Sequence, residues 1–399
     1  MGSGHSRLGG LPAGRNSTVA ECPAQSDMSH HHLAPQRGRG AVSNPDNRYA
    51  DHRREAVDDG WYREAPESLR TELGVDTSRT IISRNRSPDV PFERSINPYR
   101  GCEHGCIYCY ARPTHAWLGL SPGLDFERRL FYKPDAAEQL ERELAKPGYR
   151  PATIVLGAVT DPYQPIERRL LITRQVLEVL HACRHPVAVT TKSTLVLRDL
   201  DLLGAMAADR CAAVQLSIAT LDVELARRLE PRAATPRRRL ETIRALVQAG
   251  IPTGVLVSPL IPGLTDQDLE RVLEAAAQAG ASRAGSLLIR LPLELKDLFA
   301  DWLQVHFPER AGKVLDLIRQ CRAGKLNDAR FGTRFTGTGP IAELLRQRFE
   351  LVAGRLGLLR QDAGWELDPG HFRAPEPAGA QGSLFDPETG CPPLTASRK

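Results

Sequence analysis

A series of short β-rich runs alternating with helical stretches, beginning at Thr153, narrows the possible folds sharply. Residues 153–156 with Val159, 187–191, 213–218, 253–257 and 286–289 read as strands. Between them lie helices. Leu240, Ile243, Leu246 and Val247 share one face at helical spacing, as do Leu269, Val272, Leu273 and Ala276. Thr265 with Asp268 has the form of a capping-box start, and Gly250 and Gly280 stand where those two helices should stop. Short strands separated by helices of about ten residues mean βαβ units and a parallel sheet. A further strand at 94–96 brings the count to six. Six units are too few to close an eight-stranded barrel, so the expectation is α/β: an open, partial (β/α)6 TIM-type barrel. In such barrels the chemistry sits on loops after the strand C-termini.

The flanks differ from this core. Residues 1–60 are rich in Gly, Pro, Ser, Arg and His and read as a flexible arm that cannot bury a core. The barrel core is expected over 80–292 and a helical extension over 293–360, with helices at 293–305, 310–322 and 341–356. Residues 361–399 read as a flexible tail. A Gly-rich stretch at 331–340 precedes the last helix. It lacks a Walker pattern, so a connector is the plainer reading than a phosphate loop. The 399 residues carry a net charge of +5, with 41% hydrophobic and 25% charged, which is globular composition and excludes collagen-like, coiled-coil and wholly disordered classes. No run of eighteen apolar residues is present, so no membrane span is expected. Arg7 and Arg15 precede no apolar core, so no secretory leader is expected and the chain reads as cytoplasmic.

Of eight cysteines, five are scattered, at 22, 183, 211, 321 and 391, and three stand together in Cys102-Glu-His-Gly-Cys106-Ile-Tyr-Cys109. Three thiolates at C-x3-C-x2-C spacing can hold three corners of a cubane cluster, and four would saturate it. Three leave one iron open for a substrate or cofactor. Gly101 and Gly105 allow tight curvature and bring backbone N–H groups toward sulfur. The other reading is zinc, with His104 or His115 as fourth ligand, although zinc sites usually pair two C-x2-C units or one such unit with distant His.

C-x3-C-x-aromatic-C after the first strand of a partial barrel resembles the radical S-adenosylmethionine (SAM) superfamily, with Tyr108 at the aromatic position. Residues 89–112, 160–167, 191–193 and 229–233 are similar to its spore photoproduct lyase-like branch and, within it, an uncharacterised bacterial subgroup. The resemblance spans roughly residues 80–350. It implies a [4Fe-4S] cluster on Cys102, Cys106 and Cys109 with SAM chelated at the open iron. One electron, from a donor such as flavodoxin or ferredoxin, would cleave SAM to a 5′-deoxyadenosyl radical that abstracts hydrogen from the substrate. It also implies SAM contacts: Tyr108 near the adenine, Thr160 and Asp161 at the amino group, Lys192 at the carboxylate with Ser193 beside it, and Ser217 at the ribose or methionine end. Asp161-Pro162 also reads as a turn starter, and Tyr108 as ordinary core. The lyase class uses a hydrogen-donating Cys before a Ser-Asp pair at the end of the second strand. Here Val159-Thr160-Asp161 offers no thiol, so reversal of a thymine lesion by that route is in doubt and lyase or transferase stays open.

Residues 227–244 hold seven Arg (Arg227, Arg228, Arg232, Arg237, Arg238, Arg239 and Arg244) and two Glu, a local +5 that equals the excess of the whole chain. They read as a cationic surface for an anionic partner, the SAM carboxylate for one Arg and a nucleic-acid backbone for others, or as a solvated helix face. In the tail, Gln381-Gly-Ser-Leu384-Phe385 is similar to the peptide by which bacterial repair proteins dock on the sliding clamp. Two functions therefore compete: a radical SAM enzyme, with DNA repair or nucleic-acid modification as the suggested setting, and a non-catalytic zinc or iron–sulfur protein that binds nucleic acid.

Overall fold

The computed structural model describes residues 35–50, 70–359 and 365–375. Ten strands occur among them: β1 Glu72–Val75, β2 Ile82–Arg84, β3 Arg94–Ile96, β4 Tyr99–Arg100, β5 Arg129–Tyr132, β6 Ile154–Leu156, β7 Val187–Thr191, β8 Ala212–Ser217, β9 Thr253–Leu260 and β10 Arg283–Leu288. Seven form one sheet in the order β10-β9-β8-β7-β6-β3-β2. Its six strands β3 and β6 to β10 are parallel, and β2 adds antiparallel at one edge. This is the six-stranded partial barrel that the alternation implies. A small sheet, β1-β5-β4, stands beside it.

The strands read as apolar runs because helices cover their outer face and the barrel interior fills the other. Ile154, Leu156, Val187, Val189, Val214, Leu216, Val255 and Val257 are all buried to within 1%. Each such side chain stabilises the fold by about 1.5–3 kcal/mol. The helix Pro236–Gln248 starts on Thr235, whose hydroxyl accepts from Arg238 N–H, and is followed by Gly250 at φ 76.

Two expectations need correction. The second strand ends at Leu156 and excludes Val159. Gly157, at φ 92, turns the chain there, and a Cβ on it would lie 2.1 Å from the Thr190 carbonyl oxygen. Thr265 is no helix cap: its hydroxyl donates to Pro259 O at 2.8 Å and accepts from Ile261 N–H at 2.8 Å. The following turn is 3-10 over Asp266–Asp268, and the helix runs Leu269–Gln278. Asp268 reaches instead to Thr220 and the Leu221 N–H.

The flanks pack more than their composition implies. Within the arm, Arg39, Gly40, Ala41, Val42 and Ser43 are buried. Gly40 and Ala41 N–H donate to the Glu127 carboxylate at 2.9 and 2.8 Å. Within the tail, residues 365–375 run across the N-terminal ends of the strands. Trp365 Nε1 donates to Ser282 Oγ, Asp368 N–H to Arg210 O and Arg373 N–H to Cys183 O. The extension contains the helices Leu295–His306, Pro308–Gln320 and Pro340–Arg355. Gln381, Leu384 and Phe385, like Cys22 and Cys391, lie outside the described residues.

Candidate active site at the cysteine loop

Cys102, Cys106 and Cys109 follow β4 on one loop near the C-terminal ends of the barrel strands, with Cys102 and Cys106 buried and Cys109 partly so. The loop is fixed from below by Arg112, a fully buried guanidinium. It donates to Cys106 O at 2.9 Å, Gly105 O at 3.1 Å, Gly123 O at 2.9 Å and Pro122 O at 3.2 Å, and it pairs with Glu127. Glu127 in turn holds Gly40 and Ala41. Backbone amides close turns within the loop: Gly105 N–H donates to Cys102 O at 3.3 Å, Cys109 N–H to Cys106 O at 3.2 Å and Arg112 N–H to Cys109 O at 3.1 Å. Burial pushes the Cys106 thiol up to about 12 and raises Cys102 and Cys109 as well. Neutral thiols are therefore the resting form unless a cationic group sits against them. A bound metal removes that cost.

A charged network stands beside the loop. Tyr108 OH donates to Glu230, and Glu230 pairs with the buried Arg239. Arg239 also donates to Ser217 O and Ala234 O, each at 2.7 Å. Lys192, at the end of β7, places Nζ 6.0 Å from the Tyr108 ring centre. Burial works against its charge, but Cys106, Glu230 and Asp161 together hold its pKa above the usual lysine value.

The structure brings the sequence candidates together and reassigns some of their contacts. Asp161 is committed on both oxygens: Oδ1 accepts from Tyr163 N–H at 2.9 Å and Thr191 Oγ1 at 2.7 Å, and Oδ2 from Lys192 N–H at 2.8 Å, with His104 Nδ1 3.3 Å away. Burial would raise this carboxyl, but His104, Lys192 and Thr191 hold it at about 2. It is a clamp between the β6 loop, the β7 end and the cysteine loop. Thr160 donates to Tyr99 O at 2.9 Å and Ser217 to Ser258 O at 3.2 Å, while Ser193 caps the turn after β7 by accepting from Leu195 N–H. Lys192 is the candidate left with its head group facing the cysteine loop.

Neither imidazole named for zinc is turned to that purpose. His104 faces Asp161, and His115 Nε2 bonds Arg129 O at 2.9 Å with its ring edge on Phe126. The other thiols lie elsewhere. Cys183 and Cys211 precede β7 and β8 at the opposite end of the strands, and Cys321 caps the helix Pro308–Gln320. The basic run does not act as one surface. Arg239 is buried at the site, Arg232 pairs with Glu103 at 3.1 Å, Arg228 donates to His306 O, and Arg227, Arg237 and Arg238 pair with Glu224 or Glu241.

Sequence reasoning missed Arg112 and Glu127 as parts of the site, and it met Glu230 and Arg239 only within the 229–233 resemblance and the basic run. Each is a buried ion-pair member whose partner is distant or out of helical phase, so no local pattern announces it.

The family model for the Radical SAM superfamily matches residues 96–276. An uncharacterized protein of Mycobacterium tuberculosis is 37% identical over 233 residues, which cover 58% of this chain and 68% of that protein. The chain belongs to the radical SAM superfamily. The radical SAM Nα-GlyT isomerase of Pseudomonas phage M6 is 24% identical over 230 residues, 57% of this chain and 46% of that one. In fold, the chain resembles spore photoproduct lyase complexed with dinucleoside spore photoproduct at TM-score 0.51 and 16% identity, over 71% of this chain and 78% of the other. The same lyase with bound AdoMet and dinucleoside spore photoproduct aligns at TM-score 0.50. The likeness to spore photoproduct lyase is one of fold, and membership of the superfamily supports SAM-dependent radical chemistry. No helix among the described residues is long and apolar enough to cross a membrane.

Proposed function

We propose that Cys102, Cys106 and Cys109 hold a [4Fe-4S] cluster and that the chain cleaves SAM reductively to abstract hydrogen from a nucleic-acid substrate. The observation that carries the first part is the donor set itself: three thiols on one loop, two buried and one partly so, with the Lys192 ammonium alongside. When bound, the reduced cluster supplies the electron for SAM cleavage, drawn from a flavodoxin- or ferredoxin-type donor. The chain does the rest by placement. Lys192 offers a point cation to the SAM carboxylate. Glu230 and Arg239 fix the Tyr108 ring as a wall of the site, and Asp161 holds the loops at both sides in register. The hydroxyls of Thr160 and Ser217 keep lone pairs available to the ammonium and ribose, and Ser193 shapes the turn after Lys192. The substrate class is supported by the dinucleoside spore photoproduct held by the structural neighbour and by the arginines and aromatics near the cysteine loop. A lesion-reversing reaction needs a hydrogen donor: Cys183 and Cys211 precede β7 and β8 at the opposite end of the strands, whereas Cys321 is buried beside Arg322 at the end of β10.

Anaerobically purified protein, given dithionite and SAM, should release 5′-deoxyadenosine, and Cys106→Ala should release none. Iron-loaded protein that leaves SAM intact would refute the proposal.

A further inference from the structure

The Gly-rich stretch 331–340 is more than a connector. The fully buried Arg322 pins it to the end of β10: Nη1 donates to Thr333 O and Arg334 O at 3.1 and 2.8 Å, and Nη2 to Leu288 O and Ile289 O at 3.3 and 2.6 Å. Leu288 N–H donates to Phe335 O at 2.9 Å. On the other side, Gly332 N–H donates to Asp89 at 2.8 Å, Arg334 Nε pairs with Asp89 at 2.6 Å, and Arg334 also donates to Ser87. Residues 87–89 follow β2, and β2 and β10 are the two edges of the open sheet. The stretch therefore bridges the side on which the barrel is open.

Along this bridge, aromatic rings and guanidinium groups alternate. Arg334 lies 4.8 Å from both the Phe331 and Phe335 ring centres, and Arg290 lies 4.9 Å from Phe335 and 5.5 Å from Tyr110. The ladder begins in solvent, where Phe331 is 62% exposed, and ends at Tyr110, the residue after Cys109. Its two cations are not equivalent. Arg334 is neutralised by Asp89. Arg290, half-buried two residues beyond β10, has no carboxylate partner among the described residues, and its Nε donates to nothing. Phe331 offers an exposed ring at the outer end of the ladder, and Arg290, further in against Phe335 and Tyr110, offers a partly desolvated guanidinium with no ion-pair partner among the described residues. Together they supply what a strand needs: a face for a base and a fork for a phosphate.

We propose that the Phe331–Arg334–Phe335–Arg290–Tyr110 ladder is a nucleotide-binding track that admits a strand to the cysteine loop, with the phosphate anchored on Arg290 and a base stacked on Phe331. It rests on the nucleic-acid reading above and gives it residues outside the basic run at 227–244.

The test is fluorescence anisotropy of a fluorescein-labelled single-stranded oligodeoxynucleotide on the cluster-loaded protein, across a salt series. Arg290→Gln should weaken binding about tenfold and lower the log–log salt slope by about 0.7, one single-strand phosphate contact. Arg290→Lys should keep the slope. Phe331→Ala should weaken binding about tenfold with the slope unchanged. Arg237→Gln, on the exposed face of the basic run, should bind as wild type. Thermal melting confirms that each variant is folded, and the exposed Phe331 supplies a readout independent of any folding defect at Arg290. Wild-type affinity and slope in both Arg290→Gln and Phe331→Ala would overturn the proposal. So would displacement of the oligonucleotide by inorganic phosphate at equal phosphate concentration, which would make Arg290 a free-anion site. Protein that cleaves SAM but binds no oligonucleotide sinks this inference alone. Protein that binds through Arg290 yet leaves SAM intact sinks the cleavage reading alone.

Discussion

Glu127→Gln should loosen the cysteine loop without touching a cysteine. Glu127 is fully buried and serves three donors: Arg112 and the Gly40 and Ala41 amides. The substitution leaves the Arg112 charge buried without its counterion and turns one side-chain acceptor into a donor facing a donor. Breaking a buried pair from one side costs about 3–5 kcal/mol, and an orphaned amide adds about 1–3. A loss of about 4 kcal/mol is roughly a thousandfold in the folding equilibrium. With a slope of about 3 kcal/mol/M, the urea midpoint falls by about 1.3 M. Because Arg112 also holds the Cys106 and Gly105 carbonyls, iron retention after anaerobic desalting should fall with it. Glu127→Asp, which keeps the charge, should recover part of both. An unchanged urea midpoint together with unchanged iron content in Glu127→Gln would refute the view that this buried pair fixes the loop.

Lys192→Ala should weaken SAM binding by about tenfold or more while leaving iron content intact, checked by equilibrium dialysis of labelled SAM; equal affinity would remove Lys192 from the site. Stability should fall on acidification. Burial holds His115 and His185 at about 4 against 6.5 for the free side chain, so between those values the unfolded chain binds more protons. The contribution is full above pH 6.5 and is lost as pH drops toward 4, by at most about 3 kcal/mol per imidazole. Urea midpoints at several pH values should show this, and His185→Asn should flatten part of it; a wild-type profile flat from pH 7 to 4.5 would count against it. The Gln381–Phe385 peptide should let the full chain capture the bacterial sliding clamp, and capture undiminished by Leu384→Ala with Phe385→Ala would dismiss it.

The barrel was legible because its signals are local and periodic. β3 and β7 fall on the residues the sequence indicates, and the remaining four barrel strands are displaced only at their ends. The cysteine loop was legible because its spacing is covalent. Partners were not. Asp161 sits where a strand-end rule puts a ligand contact, yet its two oxygens are used by Thr191, Tyr163, Lys192 and His104, which only the folded loops bring together. Residues 39–43 look like an unpacked arm because Gly and Ala bury little of their own, but Gly40 fits where a Cβ would meet Gly105 O at 1.8 Å. The basic run reads as one charge cluster along the chain, whereas folding sends Arg239 and Arg232 inward. The bridge at 331–340 has no periodicity at all, and its meaning rests on Arg322, Asp89 and Ser87 meeting it from elsewhere.

An electron paramagnetic resonance spectrum of the dithionite-reduced, anaerobically purified protein, recorded with and without SAM, is the most direct test. Three cysteines leave one iron open, so the reduced wild-type protein should show an iron–sulfur signal, with about four irons per chain, that changes when SAM is added. Cys106→Ala should lose the signal. A signal indifferent to SAM, or zinc in place of iron on Cys102, Cys106 and Cys109, would contradict the assignment.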